Sequence, residues 1–250
     1  MARILILGGT GEARALAAAL ADVPGVEAVS SLAGRVRDPR LPVGDVRIGG
    51  FGGADGLAEW LRAHPVDAIV DATHPFAAQI TRNAADAAHR RGIPLVVLRR
   101  PEWSPRPGER WHGAADLADA AELLPDLGTR VFLTIGRQGV DAFADLQALW
   151  FLIRAIDPPD VAMPPHSTLL LARGPFAVAD ETALMREHRI DVLVTKNSGG
   201  GQTDAKLDAA RALGVPVLMI RRPPLPPATA TATVDDVAGA IAWIGALTRR

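Results

Sequence analysis

Cysteine is absent from the 250 residues, and so is tyrosine. The first absence removes disulfide frameworks, thiolate metal sites and cysteine nucleophiles together. The second removes the Tyr-x-x-x-Lys pair on which short-chain dehydrogenases depend. Lysine is almost missing: of 27 basic residues only Lys196 and Lys206 are lysines, the other 25 being arginine. A GC-rich coding sequence accounts for such a bias, but not for both lysines falling within eleven residues. Lysine carries a compact point charge and arginine a rigid fork, so a site that needs the former resists replacement. Net charge is lacking as well, with 27 basic against 28 acidic residues. The whole-protein field therefore favours neither nucleic acid nor a membrane surface. No apolar run approaches the ~20 residues of a membrane span. The six histidines show no H-x-x-H or H-E-x-x-H spacing for a metal, and no G-x-S-x-G elbow is present. The expectation is a soluble, cytoplasmic protein without metal, membrane or nucleic-acid partner.

What is present is a 48% hydrophobic chain, able at this length to bury roughly 70–75% of its unfolded surface. Short apolar runs alternate with alanine-rich helical patterns, the mark of βαβ units and a parallel sheet. Strands are expected at 3–7, 27–31, 45–48, 67–71 and 94–98, then at 130–135, 150–154, 168–172, 191–195 and 216–220. Helices fill the gaps of the first half, and in the second they are expected at 140–146, 179–188, 203–213 and 234–247. Between the halves RRPEWSPRPGERWHG, with three prolines and two glycines, reads as a linker. The division expected is 1–112 and 113–250. An internal repeat supports two related α/β domains: the stretch 66–101 matches 190–223, both ending in RRP, at an offset close to half the chain.

In such sheets ligands sit outside the carboxyl ends of the strands, so the turns there are the candidate sites. Gly8, Gly9, Thr10, Gly11, Glu12, Ala13 and Arg14 follow an apolar strand and open a helix. Glycines there let the backbone approach a pyrophosphate, and the helix N-terminus offers N–H groups and a positive dipole end. An unliganded αβ turn fits the same residues. The second strand ends VSSLAGR, with no acidic residue to hold ribose hydroxyls; Ser30, Ser31 and Arg35 suit a 2′-phosphate better, favouring NADP(H) over NAD(H). DATHPFA follows the fourth strand, and His74, before a proline, is biased onto the turn, where it can serve as a proton relay or be satisfied locally. The repeat partner of this turn is TKNSGGGQT, a glycine-rich backbone nest with Lys196, and Lys206 one helical turn further on. It lacks the P-loop order and reads as a cradle for phosphate or carboxylate, with a flexible glycine loop carrying two solvated lysines as the alternative. Arg137 and Arg173, each immediately past a strand, suit a substrate with many carboxylates.

ILGGTGEAR, SLAGR, DATHPFA, the Gly136–Arg137 pair and TKNSGG followed by TDAKLDAAR, in this order, resemble the precorrin-6A reductase family of cobalamin biosynthesis. The resemblance implies two Rossmann-like three-layer domains with parallel sheets and an active site in the interdomain cleft. It also implies NADPH-dependent reduction of a carbon–carbon double-bond system in a tetrapyrrole that bears acetates and propionates, giving precorrin-6B. Carried over residue by residue, it places NADPH against Gly8, Gly9, Thr10, Gly11, Glu12, Arg14, Ser31, Arg35, Thr73, His74 and Pro75. It places the macrocycle against Arg137, Lys196, Asn197, Ser198, Gly199, Gly200, Thr203 and Lys206. His74, Lys196 and bound water are the alternatives for the proton donor, and whether the ring carries cobalt stays open. Two competing classes are an NADP-dependent dehydrogenase or epimerase on a nucleotide sugar, against which the missing tyrosine argues, and a non-catalytic dinucleotide sensor, which has no use for a second anion site.

Overall fold

The structure, a computed structural model, describes residues 1–34, 38–201, 203–225 and 232–248. It divides into two compact units, Met1–Pro101 with Pro223–Arg250, and Glu102–Arg222.

The first unit begins with β1 (Ala2–Leu7), α1 (Gly11–Ala21), β2 (Val26–Leu32), β3 (Asp45–Ile48), α2 (Gly53–Ala63), β4 (Ala68–Asp71), α3 (Ala78–Arg91) and β5 (Leu95–Leu98). The second holds β6 (Trp111–Ala114), α4 (Leu117–Leu123), β7 (Arg130–Thr134), β8 (Trp150–Ala155), β9 (Ser167–Leu171), α5 (Val178–Glu187), β10 (Val192–Lys196), α6 (Ala205–Leu213) and β11 (Val217–Ile220). The chain then returns to the first with β12 (Ala232–Val234) and α7 (Val237–Thr248). Among the described residues no helix is long and apolar enough to cross a membrane.

Each unit has a six-stranded sheet, β12-β5-β4-β1-β2-β3 in the first and β6-β11-β10-β7-β8-β9 in the second. Every recorded pairing is parallel. Numbered within its own unit from β1 or β7, each runs 3-2-1-4-5 and then a sixth strand, the doubly wound order of dinucleotide-binding folds. Central strands buried on both faces read as unbroken apolar runs, as in LVVL of β5. In β1 the two-residue period sends Ile4 and Ile6 under α1 and α7, and Leu5 and Leu7 under α2 and α3. In the second unit Phe132, Leu152, Leu193 and Val217 pack beneath Met185 of α5 and Leu207 of α6.

The repeat found in the sequence is β4-α3-β5 and β10-α6-β11. Its shared residues do the same work in both copies. Asp67 accepts the N–H of Arg3 at 2.7 Å and Asp191 that of Arg130 at 2.7 Å, each tying the repeat to the strand beside it. Gly92 and Gly214 close α3 and α6 at φ +63° and +65°, a left-handed conformation that glycine adopts without strain.

Three expectations change. The division is not a single cut at 112/113: α4 falls in the second unit as expected, but that unit takes the whole of β6 and ends at Arg222, and β12 and α7 complete the first. Those two strand–helix pairs themselves repeat, with Asp116 capping α4 through the N–H groups of Ala118 and Asp119, and Asp236 accepting from Gly239. The linker read from RRPEWSPRPGERWHG therefore ends in a strand, and the helix expected from 234 starts at 237 behind another. The helix expected at 140–146 is a single 3-10 turn, Val140–Phe143, entered through Gly139 at φ +86°. An added Cβ at Gly139 would meet the tip of the Leu117 side chain, which would have to shift, and the left-handed backbone there favours glycine in any case.

Asp191→Ala strips the acceptors from the N–H groups of Thr129 and Arg130 and from the Thr129 hydroxyl. Because these groups are solvent-accessible, the expected loss is about 1 kcal/mol, read as a lower urea midpoint at unchanged slope.

Candidate functional site

At the carboxyl end of β1, Gly8 donates to Ser31 O of β2 at 2.9 Å, and Gly9 turns the chain at φ +111° with nothing within 4 Å of where a Cβ would lie. Thr10 then caps α1: its Oγ1 accepts from Ala13 N at 3.1 Å and donates to Ala72 O at 2.7 Å, locking the turn to the end of β4. The first N–H groups of α1 have no intrahelical acceptor and face this open side. Glu12, in that first turn, is met by Arg100 at 2.7 Å, which offsets its charge where an anionic ligand would approach. Arg14 is half-buried one turn along.

Ser31 faces Arg47 across the β2/β3 register, and the Arg47 guanidinium donates to Ser31 Oγ at 3.2 Å, to Gly49 O at 2.5 Å and to Gly50 O at 2.8 Å. Burial lowers its pKa from the ordinary arginine value. Ser30, pointing to the other face of β2, has a buried Oγ with no hydrogen-bond partner among the described residues. Arg35, expected here, lies outside the described residues.

After β4, one oxygen of Asp71 accepts both the N–H (3.0 Å) and the hydroxyl (2.6 Å) of Thr73, while the other, Oδ2, is buried with no partner among the described residues. His74 Nδ1 accepts from Phe76 N at 3.2 Å, so in the neutral ring the proton sits on Nε2. Thr73, His74 and Pro75 line, with Asp71 and Arg99, a hollow of about 10 Å³, the size of one water. A larger hollow, about 330 Å³, lies beside β3 and the end of α2 against Arg3, Asp45, Arg47, Trp60 and His64, and only Arg47 among these also reaches the carboxyl end of β2. Most of its lining lies away from the motif-bearing turns, so it does not locate the chemistry.

These features fit a dinucleotide: an open glycine turn under a helix N-terminus, at the point where the strand order reverses, beside a second strand whose last residues include two serines, with Arg47 of the third strand against Ser31.

In the second unit Lys196 closes β10, its Nζ donating to Ile135 O at 2.9 Å, and burial lowers its pKa. The loop that follows is held from two sides. The Asn197 amide is doubly engaged with Trp103, accepting its N–H at 2.9 Å and donating to its carbonyl at 3.0 Å, while Trp103 Nε1 donates to Gly200 O at 3.0 Å. Arg222 donates to the carbonyls of Asn197 (2.7 Å) and Ser198 (3.0 Å). Gly199 and Gly200 take φ +66° and +73° to make this path possible. Thr203 is half-buried at the entry to α6, and Arg137 stands 4.0 Å from Asp160.

Lys206 does not stay with the loop's outer surface. It is 4% exposed, its Nζ 5.3 Å from the Trp103 ring and near the buried Arg154–Glu181 pair, whose Arg154 lies over the Phe176 ring at 3.7 Å. Burial first, and Arg154 second, push its pKa down to about 7 against the opposing pull of Glu181 and Asp204.

Sequence reasoning passed over Arg47, Asp71, Arg100, Trp103 and Arg222. The shared RRP made Arg100 and Arg222 findable as a pair, and Asp71 opens DATHPFA; Arg47 and Trp103 carry no local signal.

The family described as "Precorrin-6x reductase CbiJ/CobK" matches residues 3–245. The chain belongs to the precorrin-6x reductase family. Within it, the precorrin-6A reductase of Rhodococcus erythropolis is 96% identical over 250 residues, covering 100% of both chains. That of Mycobacterium tuberculosis (strain H37Rv) is 54% identical with the same coverage. The cobalt-precorrin-6A reductase of Priestia megaterium is 28% identical over 95% of this chain and 97% of its own. A solved structure titled "CobK precorrin-6A reductase" superposes with TM-score 0.92 at 42% identity, over 99% of this chain and 97% of that one. The two-sheet parallel architecture is thus that of the precorrin-6x reductase family.

Lys206 gives a pH signature. Its folded pKa of about 7 lies below the ~10.4 of an unfolded lysine, so between these values the unfolded chain binds the extra proton and stability rises with pH. Subtracting the unfolding free energy of Lys206→Met from that of the wild type, measured in urea from pH 6 to 9, should give a difference that is flat below about 7 and climbs above it.

Proposed function

We propose that this chain reduces precorrin-6A to precorrin-6B with NADPH, a cytoplasmic step of cobalamin biosynthesis. The family match across residues 3–245 carries the reading, and the open glycine turn of the first unit supports the cofactor. A bound nicotinamide supplies hydride to one carbon of the ring system, with a proton added at its neighbour.

Gly8, Gly9, Thr10 and Gly11 with the first turn of α1 hold the pyrophosphate. Glu12 and Arg14 flank them, and Ser31 and Arg35 take the ribose end. Thr73, His74 and Pro75 border the rest of the cofactor, with Thr73 fixed by Asp71. Arg137 and Lys196 meet carboxylates of the macrocycle along the path of Ser198, Gly199, Gly200 and Thr203. Asn197 and Lys206 shape that loop from inside. Lys196 Nζ, made a readier donor by its burial, and the His74 ring in its protonated form are the two side-chain proton sources. The metal-free ring is the proposed substrate, being the form named for the 96% and 54% identical relatives, whereas the cobalt form is named for the 28% identical one.

Mixing purified protein with NADPH and precorrin-6A should change the absorption spectrum of the macrocycle; an unchanged spectrum with folded, NADPH-binding protein defeats the proposal. Lys196→Ala should weaken macrocycle binding about 10- to 100-fold, the range for a charge-assisted hydrogen bond, and leave NADPH affinity within about threefold. Equal losses for both ligands would remove Lys196 from the substrate side.

A further inference from the structure

Ser31 ends β2 beside the glycine turn, whose Gly8 N–H it accepts at 2.9 Å, and its hydroxyl accepts from Arg47 on β3. Hydrogen bonds thus run from the pyrophosphate turn through Ser31 to the Arg47 guanidinium, all at the carboxyl ends of β1, β2 and β3. In a doubly wound sheet the residues at the end of the second strand meet the adenosine ribose, and a cation there accommodates a 2′-phosphate.

Arg47 has three features of a waiting anion partner. Its guanidinium is fixed: three of five N–H donors go to Ser31, Gly49 and Gly50, and the Phe51 ring lies 3.8 Å from it, so little freedom is lost when a ligand docks. Two donors remain. It also has no carboxylate within ion-pair distance among the described residues, unlike Arg100, Arg154 and Arg222 in this chain. Its hydrogen-bond partners are all neutral, the Phe51 and Trp60 rings flank it, and the strand beside it ends Ser30-Ser31-Leu32, with no acidic residue to repel a phosphate.

We infer that Arg47 selects the 2′-phosphorylated cofactor by donating to that phosphate beside Ser31. This rests on the NADPH reading and adds to it the residue that discriminates NADPH from NADH. A planar fork suits a phosphate oxygen pair in a way that an ammonium does not.

The test is equilibrium binding of NADPH and of NADH, by calorimetry, to wild type, Arg47→Gln, Arg47→Lys and Arg35→Gln. The expected result is a loss of NADPH affinity of about 10- to 100-fold in Arg47→Gln with NADH affinity within about threefold of wild type, and a smaller loss in Arg47→Lys. Because Arg47 also braces the Gly49–Gly50 turn, equal losses for both dinucleotides would assign it a structural role and overturn the inference. So would undiminished preference for NADPH in Arg47→Gln, above all if Arg35→Gln abolishes that preference. A wild-type protein that binds neither dinucleotide would overturn the NADPH reading itself, and this inference with it.

Discussion

Parallel pairing is the constraint on which the rest depends. A parallel strand must be entered by a crossover from the far end of its neighbour, so in each sheet all carboxyl ends share one edge. That edge gathers residues far apart in sequence: the turn at 8–11, Ser31, the glycines after β3 and the Asp71–Phe76 segment in the first unit, and Gly136–Gly139 with 196–203 in the second. β1 lies between β2 and β4, pairing Leu7 with Ser31 on one side and with Asp71 on the other. Whatever sits on the glycine turn is therefore flanked by those two side chains. The Thr10 bond to Ala72 then makes the turn and the β4 loop one rigid piece.

The two sheets share an order but not their loops, and the difference sorts their chemistry. After β1 comes an eleven-residue helix whose first turn presents N–H groups to an anion. After β7, Gly136 and Gly139 supply the same conformational freedom, yet only a 3-10 turn follows, too short to build a comparable dipole. In the second unit the anchoring falls instead on the loop after β10, stiffened by Trp103 and Arg222. Repetition supplied the frame, and the first loop of each copy sets the two apart.

How much of this was legible follows from what is local. Strands such as ILIL and LVVL, the glycine turn and the αL glycines closing α3 and α6 are written in a few adjacent residues, and the ten strands expected all formed. β6 and β12 were not legible. WHGA has two exposed residues of four and ATV only three residues in all, so neither shows a period, and both become strands by pairing with β11 and β5. The site divides likewise. Its turns were visible, while Arg47 enters it through strand register and Trp103 through a contact 94 residues away in sequence. Lys206 was noticed for its rarity, but its neighbours Ala205, Leu207, Ala209 and Ala210 are buried on α6, and the helix carries the lysine inward with them.

The return of the chain to its first sheet has a consequence for how the protein is made. During synthesis the first hundred residues emerge with five of their six strands, and the edge of β5 is left unpaired until β12 arrives, well over a hundred residues later. The second unit, by contrast, is one continuous segment that holds its whole sheet as soon as β11 has left the ribosome. Completion therefore runs against chain order: the middle of the protein finishes first, and the amino-terminal sheet is the last to be sealed.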